Sequence, residues 1–259
     1  GTKMGPNAIL NASVNVEPYD DELGEIYTVG IFTVGTLNVE EIHTDPKKVI
    51  DAVYHASKWI VKDNKFLVTL GGEHSISQGA IKAYKEKYKR LSVLQLDAHL
   101  DLMEQFGGTR YSHASVSRRV AEDLRCKVTS FGVRVASKEE HNFLKNNKSK
   151  VSVFYARDIY DNDSWHEEAI DTLEDHVYIT LDVDGFDPSI MPATGTPVPG
   201  GLGWYRVIDF LRKVYKEKKV VGMDVVELKP NSGNEAPNFL SANLVYKNIG
   251  FYKKYTLLS

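Results

Sequence analysis

The chain has 259 residues, 42% of them hydrophobic and 26% charged, with a formal net charge of −3. That length suits one large α/β domain or two small ones, and the composition is ordinary for a globular protein. The slight negative charge gives no electrostatic reason to expect nucleic acid or an anionic membrane as partner, and no run reaches the roughly 18 uninterrupted apolar residues of a membrane helix.

Strand-like apolar runs alternate with helix-like stretches along most of the chain. Residues 66–70 (FLVTL) read as a strand that stops at Gly71 and Gly72, and 75–88 as a helix with Ile76, Ala80, Ile81 and Tyr84 at helical spacing. A strand at 92–96 delivers Asp97; then come a helix at 113–124, a strand at 128–133, a helix at 138–145, a strand at 151–155 and a helix at 164–173. A strand at 177–181 delivers Asp182, a helix spans 204–215 with Trp204 and Tyr205 as packing residues at its start, a strand at 220–226 delivers Glu227, and a helix spans 238–250. This alternation predicts α/β architecture: a mostly parallel central sheet with helices on both faces. No linker, repeat or low-complexity stretch divides it, so residues 1–259 are expected to form a single domain.

The chain opens on Gly within GTKMGP, without a signal-peptide pattern, and its N-terminal segment is expected to be incomplete. Cys126 is the only cysteine, so no internal disulfide forms. That fits a reducing cytoplasm, with Cys126 as a small buried hydrophobe.

Chemistry concentrates in three segments, GGEHS (71–75), DAHLD (97–101) and DVDGFD (182–187). They place His74, Asp97, His99, Asp101, Asp182, Asp184 and Asp187 where predicted strands end, which is where open α/β sheets bind ligands. Aspartate and histidine are costly to bury unless something binds them. Alternate residues of an extended strand end point the same way, so Asp97, His99 and Asp101 are expected to converge, as are Asp182 and Asp184. An oxygen-rich donor set with two histidines suits a pair of Mn²⁺ ions better than structural Zn²⁺. EF-hand spacing is absent, since a loop starting at Asp182 has Asp187 and Ala193 where Gly and Glu are required. No HExxH, GxSxG or P-loop is present. The irregular stretch 185–203, rich in Gly and Pro, directly follows a carboxylate-bearing strand and is expected to be functional.

These segments, in this order, resemble the ureohydrolases, the arginase and agmatinase family. GTKMGP, GGEHS, DAHLD, YSHAS (111–115), DVDGFDPSIMPATGTPVPGG (182–201) and DVVELKP (224–230) carry the resemblance, which covers nearly the whole chain. It implies the three-layer α/β/α arginase-like fold. It implies two Mn²⁺ ions per subunit with a bridging hydroxide, one ion bound by His74, Asp97, Asp101 and Asp182 and the other by Asp97, His99, Asp182 and Asp184. It implies His113 as a proton shuttle and Glu227 as the carboxylate that pairs with the guanidinium. From position alone His113 reads first as a helix-start residue, and Glu227 reads also as a surface salt-bridge partner at a strand end. Asp101, Asp184, Glu73 and Asp224 are candidates for tethering the groups that surround the ligands. Homo-oligomers, trimers or hexamers, are implied as well.

The stretch 102–115 lacks the Asn- and Ser-rich pattern of arginases, and YSHASVSRR looks most like prokaryotic agmatinases. The expected reaction is hydrolysis of agmatine to putrescine and urea, with guanidinobutyrase, arginase and formiminoglutamase activities as alternatives. A single-zinc amide deacetylase is a reading from another class. Glu104 is a candidate for the amine end of the substrate. Two departures from the family pattern stand out: PATGTP in place of PGTGTP, and NSGNEAPNF after DVVELKP.

Overall fold

The structure is a computed structural model that describes residues 1–162 and 164–258. A two-stranded antiparallel pair, Tyr19–Asp20 (β1) and Gly24–Glu25 (β2), lies apart from the main sheet. The main sheet comprises Leu67–Leu70 (β3), Leu91–Leu96 (β4), Lys127–Val133 (β5), Val151–Tyr155 (β6), His176–Asp182 (β7) and Lys219–Val226 (β8). All neighbours pair in parallel, in the order β3-β8-β7-β4-β5-β6.

The helices are Gly5–Ser13 (α1), Pro46–Lys62 (α2), Ser77–Lys87 (α3), Val116–Glu122 (α4), Lys138–Asn146 (α5), Trp165–Asp171 (α6), Trp204–Glu217 (α7) and Ala236–Tyr252 (α8). Buried side chains of α1, α6, α7 and α8 pack with Leu94 and Leu96 of β4 and with Val177, Ile179 and Leu181 of β7. Those of α2, α3, α4 and α5 pack with Leu91 and Val93 of β4 and with Tyr178 of β7. Strand residues that alternate in sequence therefore feed two separate cores, which is what a sheet covered on both faces requires. The three-layer α/β/α arrangement is as expected.

Every strand and helix predicted between residues 66 and 250 is present, with ends that move by a few residues. Two helices begin as 3₁₀ turns: His74–Ile76 precedes α3, and His113–Ser115 precedes α4. Elements before residue 66 were not anticipated. Helix α2 carried a legible signal, because Asp45 caps it by accepting from the Lys48 N–H and Pro46 occupies its first turn. Its residues Ile50, Tyr54, Ser57 and Val61 form one buried face. Gly79 of α3 lets this face come close, since a Cβ there would stand 2.4 Å from the Ile50 carbonyl oxygen. Trp204 packs against the core as expected, but Tyr205 does not: it is 76% exposed, because the next helical position turns it outward.

The chain runs outward from β4 through β5 to β6, then returns to the other side of β4 for β7 and β8. Strand order thus reverses between β4 and β7. The carboxyl ends of these two strands are a topological switch point, where open α/β sheets bind ligands. Among the described residues, no helix is long and apolar enough to cross a membrane.

Candidate functional site

Register explains how the ligand candidates meet. Leu96 of β4 pairs with Leu181 of β7, so the next residues, Asp97 and Asp182, leave the sheet side by side. His99 Nδ1 lies 3.4 Å from Asp97 Oδ1 and 3.0 Å from Asp184 Oδ2. His74 Nδ1 lies 3.0 Å from Asp101 Oδ2, 3.3 Å from Asp97 Oδ2 and 3.4 Å from Asp182 Oδ2. Five of the six candidates thus converge in two groups that share Asp97, Asp182 joins them by its approach to His74, and only His99 is appreciably exposed.

Extended alternation brings only part of the set together. Asp101 reaches the cluster through a left-handed backbone, φ +55°, which turns its side chain back toward His74. Asp184 arrives on the 3₁₀ turn Val183–Gly185, held by its N–H to Asp182 Oδ1 at 2.9 Å. Gly71 and Gly72 serve close approach: a Cβ on Gly71 would stand 2.8 Å from Val226 Cγ1. Asp187 is not in the cluster. Its carboxylate accepts the N–H groups of Ser189, Gly200 and Gly201, so it pins the stretch 185–203 to itself.

The electrostatics are those of a cation site. Burial pushes the Asp101 carboxyl up to about 7, reinforced by the charge of Asp97, and burial together with Asp184 and Asp97 pushes Asp182 well above the carboxylate range. Burial works against protonated histidine, yet the facing carboxylates outweigh it and hold His74 well above its usual value and His99 up to about 11. The cluster therefore balances its negative charge with protons, the places a metal would take. His74 Nδ1, fully buried, has no hydrogen bond of acceptable geometry, although three carboxylates stand around it. Four carboxylates and two imidazoles fit a pair of hard to borderline divalent cations.

A polar row supports these residues from below. Ser130, Gln95, Thr180, Asp224 and Thr69 are successive partners across β5, β4, β7, β8 and β3. Gln95 Nε2 donates to Asp97 Oδ2 at 2.7 Å and Ser130 donates to Gln95 Oε1 at 3.0 Å, as Ser117 also does. His74 Nε2 donates to Thr180 Oγ1 at 2.9 Å, Thr180 donates to Asp224 Oδ1 at 2.6 Å, and Tyr178 donates to Asp224 Oδ2 at 2.8 Å. Asp224 thus holds Thr180, which in turn holds the ligand candidate His74. Gln95 and Thr180 were missed, yet each is a polar residue two positions before an aspartate that a strand delivers.

Arg134 was also missed. Its guanidinium is hydrogen-bonded to the backbone carbonyls of Gly132, Asp184, Gly185, Phe186 and Val198. It ties both ends of the 185–203 stretch to the end of β5, and nothing in the sequence around it announces this.

His113 and Glu227 flank the cluster. Glu227 stands at the end of β8 with φ +65°, its N–H bonded to the Gly72 carbonyl and its Oε1 accepting the His74 N–H at 2.7 Å. Burial raises its carboxyl above the usual range. His113 is half-exposed and its Nδ1 lies 2.8 Å from Glu73 Oε1, which raises its pKa. Glu104 is not free to receive a substrate amine: it forms ion pairs with Arg118 at 2.5 Å and Arg119 at 3.4 Å. His43, His55, His141, His166 and His176 lie outside the cluster. Cys126 is buried, which pushes its thiol up to about 11.

An arginase-family model matches residues 1–250. The N(1)-aminopropylagmatine ureohydrolase of Synechocystis sp. is 38% identical over 97% of this chain and 83% of its own length. The agmatinase of Pyrococcus horikoshii is 33% identical over 96% of this chain and 85% of its own. The crystal structure of the agmatine ureohydrolase of Thermoplasma volcanium superposes with a TM-score of 0.88 at 33% identity, over 100% of this chain and 86% of that one. The chain therefore belongs to the arginase family and is a hydrolase acting on amidino groups.

Proposed function

We propose that the protein hydrolyses the guanidino group of agmatine, or of agmatine carrying an N1-aminopropyl group, to urea and the corresponding amine, in a single domain that holds two Mn²⁺ ions. The observation that carries this reading is the buried cluster of four carboxylates and two imidazoles, with His113 and Glu227 beside it. The aminopropyl substrate is kept because the 38%-identical relative bears that name.

In this reading His74, Asp97, Asp101 and Asp182 hold one cation, and Asp97, His99, Asp182 and Asp184 the other. When bound, the cations supply a hydroxide at neutral pH by lowering the pKa of a water. The chain's own groups do the rest. Glu227 receives the guanidinium through paired hydrogen bonds and sets its planar carbon against the cluster. Its Oε1 is already oriented by the His74 N–H, so less freedom is lost on binding. Cleavage of the C–N bond expels an amine, which leaves well only when protonated, and His113 provides that proton. The Glu73 carboxylate raises the pKa of His113 and so favours its protonated ring. A homo-oligomer belongs to the same proposal.

The test is urea release from Mn²⁺-loaded protein, with agmatine, N1-aminopropylagmatine and arginine side by side. Urea from either of the first two supports the reading and chooses between them. Urea from arginine alone refutes it. No urea from any, with two metals bound per chain, also refutes it and redirects the search to other guanidino or formimino compounds.

A further inference from the structure

We infer that Glu73 is the positioning residue for His113, fixing which imidazole nitrogen exchanges the proton. The inference rests on the guanidino-hydrolase reading above.

Glu73 lies between Gly72 and His74, on the loop leaving β3, and His113 begins the 3₁₀ turn before α4. One oxygen of Glu73 contacts His113 twice: Oε1 accepts its backbone N–H at 2.9 Å and stands 2.8 Å from its ring Nδ1. The other oxygen, Oε2, accepts the hydroxyl of Ser75. The carboxylate therefore has three donors holding it, and it holds both the main chain and the ring of one residue.

A half-exposed imidazole would otherwise sample several rotamers and both tautomers. An ionised carboxylate only accepts hydrogen bonds, so the nitrogen facing it carries hydrogen in both charge states of the ring. Nδ1–H is thereby committed to Glu73, and Nε2 is the atom left to hold or release a proton. Phe106 limits the ring from another side, with its centroid 5.4 Å away at an interplanar angle of 64°. Glu73 thus links the loop that carries His74 to the group that must protonate the departing amine.

A purely structural tether between the two loops would make the same contacts, so the test must separate the two roles. Glu73→Gln keeps an acceptor oxygen for both N–H groups and removes the charge. We expect kcat to fall about tenfold, a fraction of what general acid catalysis contributes, with KM within about twofold. In a His113→Asn background the same change should have no further effect on kcat. Equal losses in the two backgrounds would overturn the inference.

A second measurement needs no turnover. ¹⁵N spectra of the metal-free protein, recorded at a pH where the His113 ring is neutral and with its signal identified by its absence in His113→Asn, should show an Nδ1–H tautomer. Glu73→Leu, which removes the acceptor, should shift it toward Nε2–H. An unprotonated Nδ1 in the wild-type protein would overturn the inference. Should no guanidino compound be hydrolysed, the spectra still decide what Glu73 does to His113.

Discussion

Gln95 and Thr180 stand opposite each other in register on β4 and β7, each two residues before an aspartate of the cluster. Side chains two apart on a strand share a face, so each lies directly beneath its aspartate. Gln95 donates to Asp97, and Thr180 accepts from His74 while donating to Asp224. Removing the hydroxyl in Thr180→Val leaves His74 Nε2 without its acceptor. Loss of such a supporting contact typically weakens metal affinity about 10- to 100-fold. Equilibrium dialysis against Mn²⁺ measures it, and unchanged affinity would show that the row does not orient the ligands.

His99→Ala should lose one equivalent of metal and nearly all turnover, because His99 stands only with Asp97 and Asp184 in its group. Glu227→Gln should keep both metals and weaken substrate binding, because Glu227 approaches His74 through a backbone N–H and not through its ring. Metal analysis by mass spectrometry beside urea release separates the two. Metal lost from Glu227→Gln would make Glu227 a ligand.

Arg134→Met should destabilise the fold by about 3 kcal/mol, the cost of leaving buried carbonyls without their donor. The change also frees Asp184, whose carbonyl accepts from Arg134 at 2.7 Å. Urea unfolding of the metal-free protein measures the first effect. Metal stoichiometry measures the second, with the ion bound by His99 and Asp184 lost first.

His166 is buried against Trp165 and Phe210, and neither ring nitrogen has a hydrogen-bond partner. Burial pushes its pKa down to about 4, and Lys213 adds to this. The unfolded chain takes up this proton near pH 6.5, whereas the folded one resists. Stability from this residue is therefore intact above pH 6.5 and is lost as the pH falls toward 4, by at most about 1.4 kcal/mol per unit. His166→Phe should flatten that slope between pH 7 and pH 5 in urea unfolding. An unchanged slope would place the acid sensitivity elsewhere.

Short apolar runs separated by stretches of helical spacing were enough to read the α/β architecture and the strands from residue 67 onward. The six ligand candidates were read from aspartate and histidine at strand ends, which are costly to bury unless something binds them. Order along the chain does not state which strands are neighbours. Only the sheet places β4 beside β7, and only its register aligns Asp97 with Asp182 and sets the row from Ser130 to Thr69 beneath them. Asp101 and Glu227 adopt positive φ, which local preference disfavours and surrounding contacts impose. Arg134 was illegible for the same reason: its acceptors are backbone carbonyls up to 64 residues away, brought together by the packed loop. Local composition thus determined which groups the protein carries, and long-range pairing decided which of them meet.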